Sequence, residues 1–167
     1  MNKPEIHIRI SQESDYSYLL NWLLEKEALR WFPMTDKKEI EEAVRHWLSY
    51  RHLGACITAE IDGIPCGSAT LYLHAYKKLK HQSLFSIVVD QKFRGRGVGK
   101  TLIQNLEKLA KAFGIEVFYL EVYEGNPAKH LYEKLGFVEF GRHPKFVKES
   151  NYYFDKLLMQ KLSLIHI

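Results

Sequence analysis

The sequence predicts a mixed α/β protein on a single twisted sheet, mostly antiparallel, with a central parallel strand–helix–strand unit and helices on both faces. Three observations carry this. Apolar runs of strand length recur along the chain, some alternating and some continuous. A glycine-rich segment, Arg94 to Gly99, lies between one such run and a long amphipathic stripe. The order is strand, two helices, hairpin, strand–helix–strand–helix, two strands. It places a crossover in the middle that should be right-handed.

Each element has its own signal. Ile6, Ile8 and Ile10 alternate with His7 and Arg9, as in a half-buried strand. Leu19, Leu20 and Leu23 fall at helical spacing, and Trp31-Phe32-Pro33 interrupts. Asp36 and Glu39 have the spacing of a capping box ahead of Ile40, Val44, Trp47 and Leu48. Ala55–Ile61 and Cys66–Leu73 read as strands joined by an Asp62-Gly63 hairpin turn, with Pro65 shortening the second. Leu84 to Val89 is a continuous apolar run, expected to be buried on both faces. Val98, Leu102, Leu106, Leu109, Ala110 and Phe113 form one helical stripe that Gly114 stops. Ile115 to Tyr123 is the next strand. Asn126 and Pro127 suit the N-cap and N1 positions of a helix with Ala128, Leu131, Tyr132 and Leu135 inward. Phe137–Phe140 and Tyr152–Met159 are expected as final strands around a polar loop containing Pro144.

A chain of 167 residues, 46% hydrophobic and 26% charged, fits one globular domain over 1–167 and excludes a disordered or fibrous class. No apolar run reaches the ~18 residues that span a bilayer, and the first residues show no signal-peptide core. No membrane role and a cytoplasmic location are expected. Cys56 and Cys66 cannot form a disulfide framework or a four-cysteine zinc site, and the histidines lack metalloprotease spacing, so no metal is expected. A net charge of +4 suits a small anionic ligand at least as well as nucleic acid, and no nucleic-acid partner is expected.

The most informative stretch is Arg94-Gly95-Arg96-Gly97-Val98-Gly99-Lys100-Thr101, where a buried strand enters a glycine-rich turn and opens a helix. Glycines let backbone N–H groups converge, and a helix N-terminus adds free donors and partial positive charge, which together suit a phosphate. A tight turn needs fewer glycines and no cations. A nucleotide P-loop needs four residues between its glycines, which would put Gly where Arg94 stands. A dinucleotide fingerprint needs Gly or Ala at Lys100. A third reading, a coenzyme A pyrophosphate loop, is what a family resemblance implies. Arg94 to Gly99 resembles the [Gln/Arg]-x-x-Gly-x-[Gly/Ala] signature of the GNAT superfamily of N-acetyltransferases. Asn126-Pro127-Ala128-Lys129-His130-Leu131-Tyr132-Glu133-Lys134-Leu135-Gly136-Phe137 is similar to that family's second signature.

The resemblance implies an acetyl-CoA-dependent N-acetyltransferase in which a primary amine of a small molecule, peptide or protein attacks the thioester directly. It implies that Arg94, Gly95, Arg96, Gly97, Val98, Gly99 and Lys100 surround the pyrophosphate. The backbone of Ile87, Val88 and Val89 would hold the pantetheine arm, with one N–H facing the thioester oxygen. Tyr132 takes the position of the general acid. The family's strand glutamate has no counterpart in Ser83-Leu84-Phe85-Ser86. The base is therefore Glu121, a backbone carbonyl with water, or the amine's own loss of a proton. Asn126, one position late for the family's pattern, either contacts CoA or caps its helix, and Lys129 is a candidate for a CoA phosphate. Tyr16, Tyr18, Trp22, Trp31, Phe32, Tyr72, Tyr152 and Tyr153, with Glu149 and Asp155, are candidates for the amine acceptor's surroundings or for core. A homodimer is compatible with the resemblance. The competing reading is a non-catalytic CoA-binding or sensor module of the same fold, which the missing carboxylate favours and Tyr132 opposes.

Overall fold

In the computed structural model, residues 3–162 are described. Met1, Asn2 and 163–167, which belong to the expected domain 1–167, lie outside them. The strands are β1 (Ile6–Ile10), β2 (Cys56–Ile61), β3 (Ile64–Leu73), β4 (Gln82–Val89), β5 (Val117–Tyr123), β6 (Val138–Glu149) and β7 (Tyr152–Leu162). The helices are α1 (Tyr16–Leu24), α2 (Lys26–Leu29), α3 (Lys37–Ser49), α4 (Val98–Ala112) and α5 (Lys129–Lys134). Strand order is β1-β2-β3-β4-β5-β7-β6. β4 and β5 are parallel, while β1–β2, β2–β3, β5–β7 and β6–β7 are antiparallel. The chain divides into two compact units, Met1–Tyr72 with Ser86–Leu109 and Leu73–Phe85 with Ala110–Ile167.

In the first unit, Asp36 caps α3 by accepting from the Glu39 N–H at 2.8 Å. The reciprocal half of the expected box is displaced by one residue: the Glu39 carboxylate accepts from the Thr35 N–H at 2.7 Å. Capping frees the apolar face of α3 to bury Ile40, Val44, Trp47 and Leu48 against Leu19, Trp22 and Leu23 of α1. Each fully buried aliphatic side chain of this kind contributes about 1.5–3 kcal/mol. The β2–β3 turn has positive φ at Asp62 (52°) and Gly63 (76°), the type I′ geometry that matches strand twist. Pro65 does not shorten β3. It pairs with Glu60 beside a register shift between Ala59 and Glu60, a bulge that tolerates a missing N–H.

A buried polar network ties β1 to the segment before α1. The Arg9 guanidinium donates to both oxygens of Asp15 at 2.8 Å and to Glu60 at 3.0 Å. Asp15 also accepts from the Gln12 N–H and the Thr58 hydroxyl. Burial alone would push the Asp15 carboxyl up, but Arg9, Gln12 and Thr58 outweigh it and hold it below the usual carboxylate range. A depressed folded-state value stabilises the protein above the unfolded value of about 3.9, and that contribution is lost as pH falls through the folded value. Asp15→Asn is therefore expected to cost about 3 kcal/mol at neutral pH, and to flatten the acid limb of a thermal-melting series against pH.

In the second unit, β5 pairs with β7 from Val117–Leu162 to Tyr123–Lys156. β6 and β7 form one long hairpin turning at Ser150 and Asn151. Pro144, expected in a loop, lies within β6, where the register shifts between His143 and Val147 and Lys145 takes φ 53°. An irregular strand absorbs a proline that a regular ladder would exclude.

Three further expectations are corrected. β4 is not buried on both faces: Ser83, Phe85 and Val88 are buried, whereas Leu84, Ile87 and Val89 are only half-buried. Phe113 is 38% exposed, because α4 ends before it, while Ile103, outside the expected stripe, is fully buried. α5 begins at Lys129, later than Asn126-Pro127 suggests, because Lys129 and His130 first make three-residue turns onto the Asn126 and Pro127 carbonyls.

Candidate active site

The glycine loop lies in the first unit. Asp90, anchored by its N–H to the Cys66 carbonyl at 2.8 Å, caps a short 3-10 turn, Gln91–Phe93, by accepting from the Lys92 N–H at 3.1 Å. Arg94 is then extended, Gly95 has φ 75° and Gly97 has φ 86°. A Cβ at either glycine would meet nothing within 4 Å, so conformation and not space requires glycine there. The left-handed turns deliver the chain into α4, where the Thr101 N–H and hydroxyl both bond the Gly97 carbonyl, at 3.0 and 2.8 Å. The N–H groups of Val98, Gly99 and Lys100 precede the first intrahelical bond and have no acceptor within the helix. Arg94, Arg96 and Lys100 are exposed around them, with Arg96 over the Phe93 ring at 5.3 Å. This is a run of backbone donors at the positive end of a 15-residue helix, and it suits a diphosphate.

Sequence reasoning missed Gly67, on β3 in the same unit. A Cβ there would lie 2.9 Å from Leu102 Cδ1, 3.1 Å from the Val88 carbonyl oxygen and 3.2 Å from Val98 Cγ1. Its absence lets the first turn of α4 close onto the strands. A strand glycine is itself a signal of close backbone approach, but does not name the neighbour. Gly67→Ala is expected to destabilise by about 1–3 kcal/mol in denaturant unfolding and to weaken any ligand held by the loop.

Ile87, Val88 and Val89 also lie in the first unit, and the second unit holds Tyr132, Asn126, Lys129 and Glu121. Tyr132 on α5 is buried, edge-on to Phe85 at 6.2 Å and to Phe137 at 6.1 Å. Phe85 stacks on Phe118 at 4.3 Å, and both contact Phe137. Burial pushes the Tyr132 phenol well above its usual range, so it is protonated at neutral pH. Among the described residues its hydroxyl has no hydrogen-bond partner. Gly136, at φ 94°, ends the helix and turns the chain into Phe137. Asn126 caps the turn before α5, its Oδ1 accepting from the Ala128 N–H at 3.0 Å. Lys129 is engaged by Glu139 at 3.2 Å and Glu133 at 3.7 Å. Glu121 is exposed on β5 and paired with the Lys156 ammonium at 3.3 Å.

The acceptor candidates scatter. Trp22 is core, and Tyr16 and Phe32 pack against it. Tyr72 stacks on His46 at 5.5 Å and meets Tyr50 edge-on, with burial pushing its phenol up to about 12. Trp31 lies under the Arg30 guanidinium at 4.8 Å. Tyr18, Tyr152 and Tyr153 are exposed, as is Glu149. Asp155 is already committed: Arg142 donates to it at 2.8 Å and the Lys145 N–H at 2.9 Å. That network makes it a brace of the β6–β7 hairpin.

Comparison with known proteins decides the family. The model of the acetyltransferase (GNAT) family matches residues 18–137, both signatures included. The chain belongs to that family. Over 61 residues it is 41% identical to ribosomal protein bS18-alanine N-acetyltransferase of Haemophilus influenzae, covering 36% of this chain and 42% of the relative. It is 33% identical over 91 residues to YwnH of Bacillus subtilis, provisionally named a phosphinothricin acetyltransferase, covering 53% and 54%. The chain thus spans about half the length of these curated relatives. The structure of yncA from Salmonella typhimurium, solved with its cofactor acetyl-CoA, shares the GNAT fold at a TM-score of 0.78 and 19% identity, covering 94% of this chain and 93% of the other. The glycine loop and Tyr132 both fall within the matched residues. Among the described residues no helix is long and apolar enough to cross a membrane.

Proposed function

We propose that residues 1–167 act as one N-acetyltransferase domain that moves an acetyl group from acetyl-CoA to a primary amine of a small molecule, peptide or protein. The observation that carries this is the loop geometry: two left-handed glycines, at φ 75° and 86°, deliver free N–H groups and three cations to one helix start. That donor set fits a diphosphate, as coenzyme A carries.

Acetyl-CoA supplies a thioester carbonyl open to attack by an amine. The N–H groups from Gly95 to Lys100 bind the diphosphate, and Arg94, Arg96 and Lys100 add charge. Ile87, Val88 and Val89 offer backbone hydrogen bonds to the pantetheine arm. The register of β4 with β5 covers Gln82 to Leu84 among the described residues, so these three lie beyond it. One of their N–H groups faces the carbonyl oxygen where negative charge develops. The Tyr132 hydroxyl, protonated and without another partner, gives its proton to the departing sulfur. Glu121 takes the proton the ammonium loses. It already holds one ammonium, Lys156, and an amine in that position makes the same contact. Asn126 and Lys129 play supporting parts, the first by capping the turn that leads into α5 and the second through CoA phosphates once Glu139 releases it.

Incubation with acetyl-CoA and a panel of amines, reading free thiol, tests the reading. Amine-dependent thiol release with a product heavier by one acetyl group supports it. CoA binding without transfer to any amine returns the protein to the sensor reading.

A further inference from the structure

An open concavity lies in the first unit, and Tyr16 is the one residue it shares with the acceptor candidates above. It has a volume of about 560 Å³ and is lined by Glu13 and Ser14 just before α1, Tyr16 and Ser17 in its first turn, Arg45 and Leu48 of α3, and Arg51 in the turn that follows α3. The volume lies within the roughly 300–1,000 Å³ range of small-molecule sites. Its polar groups are uncommitted. Among the described residues the side chains of Glu13, Ser14, Tyr16, Ser17 and Arg45 make no hydrogen bond or ion pair. Arg51 spends one N–H on the Leu48 carbonyl, at 3.1 Å, and keeps the others.

Two guanidiniums and one carboxylate therefore share a cavity without pairing. An inorganic dianion would satisfy the arginines but face Glu13, and a simple amine would satisfy Glu13 but face two positive charges. A molecule carrying both a carboxylate and an ammonium meets every group at once. The planar guanidinium fork matches a carboxylate bidentately, Glu13 takes the ammonium, and the serine and tyrosine hydroxyls remain for the rest of the ligand. We propose that this cavity is a binding site for a free α-amino acid, separate from the acetyl-transfer site.

Calorimetric titration of the full chain with individual L-amino acids tests this without reference to catalysis. Saturable binding of at least one is expected, undiminished by saturating acetyl-CoA. It should disappear when the same amino acid carries a carboxamide or an N-acetyl group. Arg45→Ala, at an exposed helix position, should weaken it about 10- to 100-fold with an unchanged circular dichroism spectrum, as should the volume-conserving Glu13→Gln. No saturable binding at millimolar concentration, equal binding of inorganic phosphate, indifference to both substitutions, or displacement by acetyl-CoA would each overturn the assignment.

Discussion

Replacing Tyr132 by Phe is expected to lower kcat by roughly 10²–10⁴-fold while leaving acetyl-CoA affinity near its original value. The substitution isolates the hydroxyl. The ring keeps its edge-on contacts with Phe85 and Phe137, and the phenol makes no hydrogen bond among the described residues, so stability should change by less than about 1 kcal/mol. Burial that lifts the phenol above its usual range keeps it protonated. The loss of rate from its ionisation should then begin only above about pH 10, and should be absent from the variant. Steady-state kinetics across pH, beside a melting curve, separates these effects. Unchanged turnover would remove Tyr132 from the chemistry.

Gly97→Val is expected to weaken acetyl-CoA binding by about 100-fold or more. At φ 86° a β-branched residue is strongly disfavoured, at about 1–2 kcal/mol for the left-handed conformation alone. Space is not the cause, since a Cβ there meets nothing within 4 Å. Relief of the strain moves Gly97 out of register, and with it the carbonyl that receives two bonds from Thr101 and the N–H groups that follow. Two donors to a charged diphosphate, at about 1.5–3 kcal/mol each, account for that loss. Isothermal titration of the folded variant reads the effect. A dissociation constant within a few-fold of the parent's would show that the loop does not hold the ligand.

What the sequence made legible follows from the range of the interactions. Asp62-Gly63, the Asp36 cap and the Gly95/Gly97 pair are local devices, and each stands where composition and spacing place it. The proline expectations failed because the bulge at Glu60 and the irregularity near His143 are set by partner strands distant in sequence. Within the candidate site, glycine spacing revealed the loop, but Gly67 was hidden because its neighbours, Val88, Val98 and Leu102, come from other elements. The same holds for Asp155 and Lys129, whose free charge in the sequence becomes committed charge in the fold. Tyr132 reads as a core residue from its apolar stripe. Its buried ring agrees with that.

The most direct test is a pair of titrations of the unmodified protein, one with acetyl-CoA and one with S-acetylpantetheine, which carries the same thioester and arm but no diphosphate. Binding of acetyl-CoA at least about 100-fold tighter is the result expected if the amides following Arg94 grip the diphosphate. Equal affinity for the two compounds would contradict it.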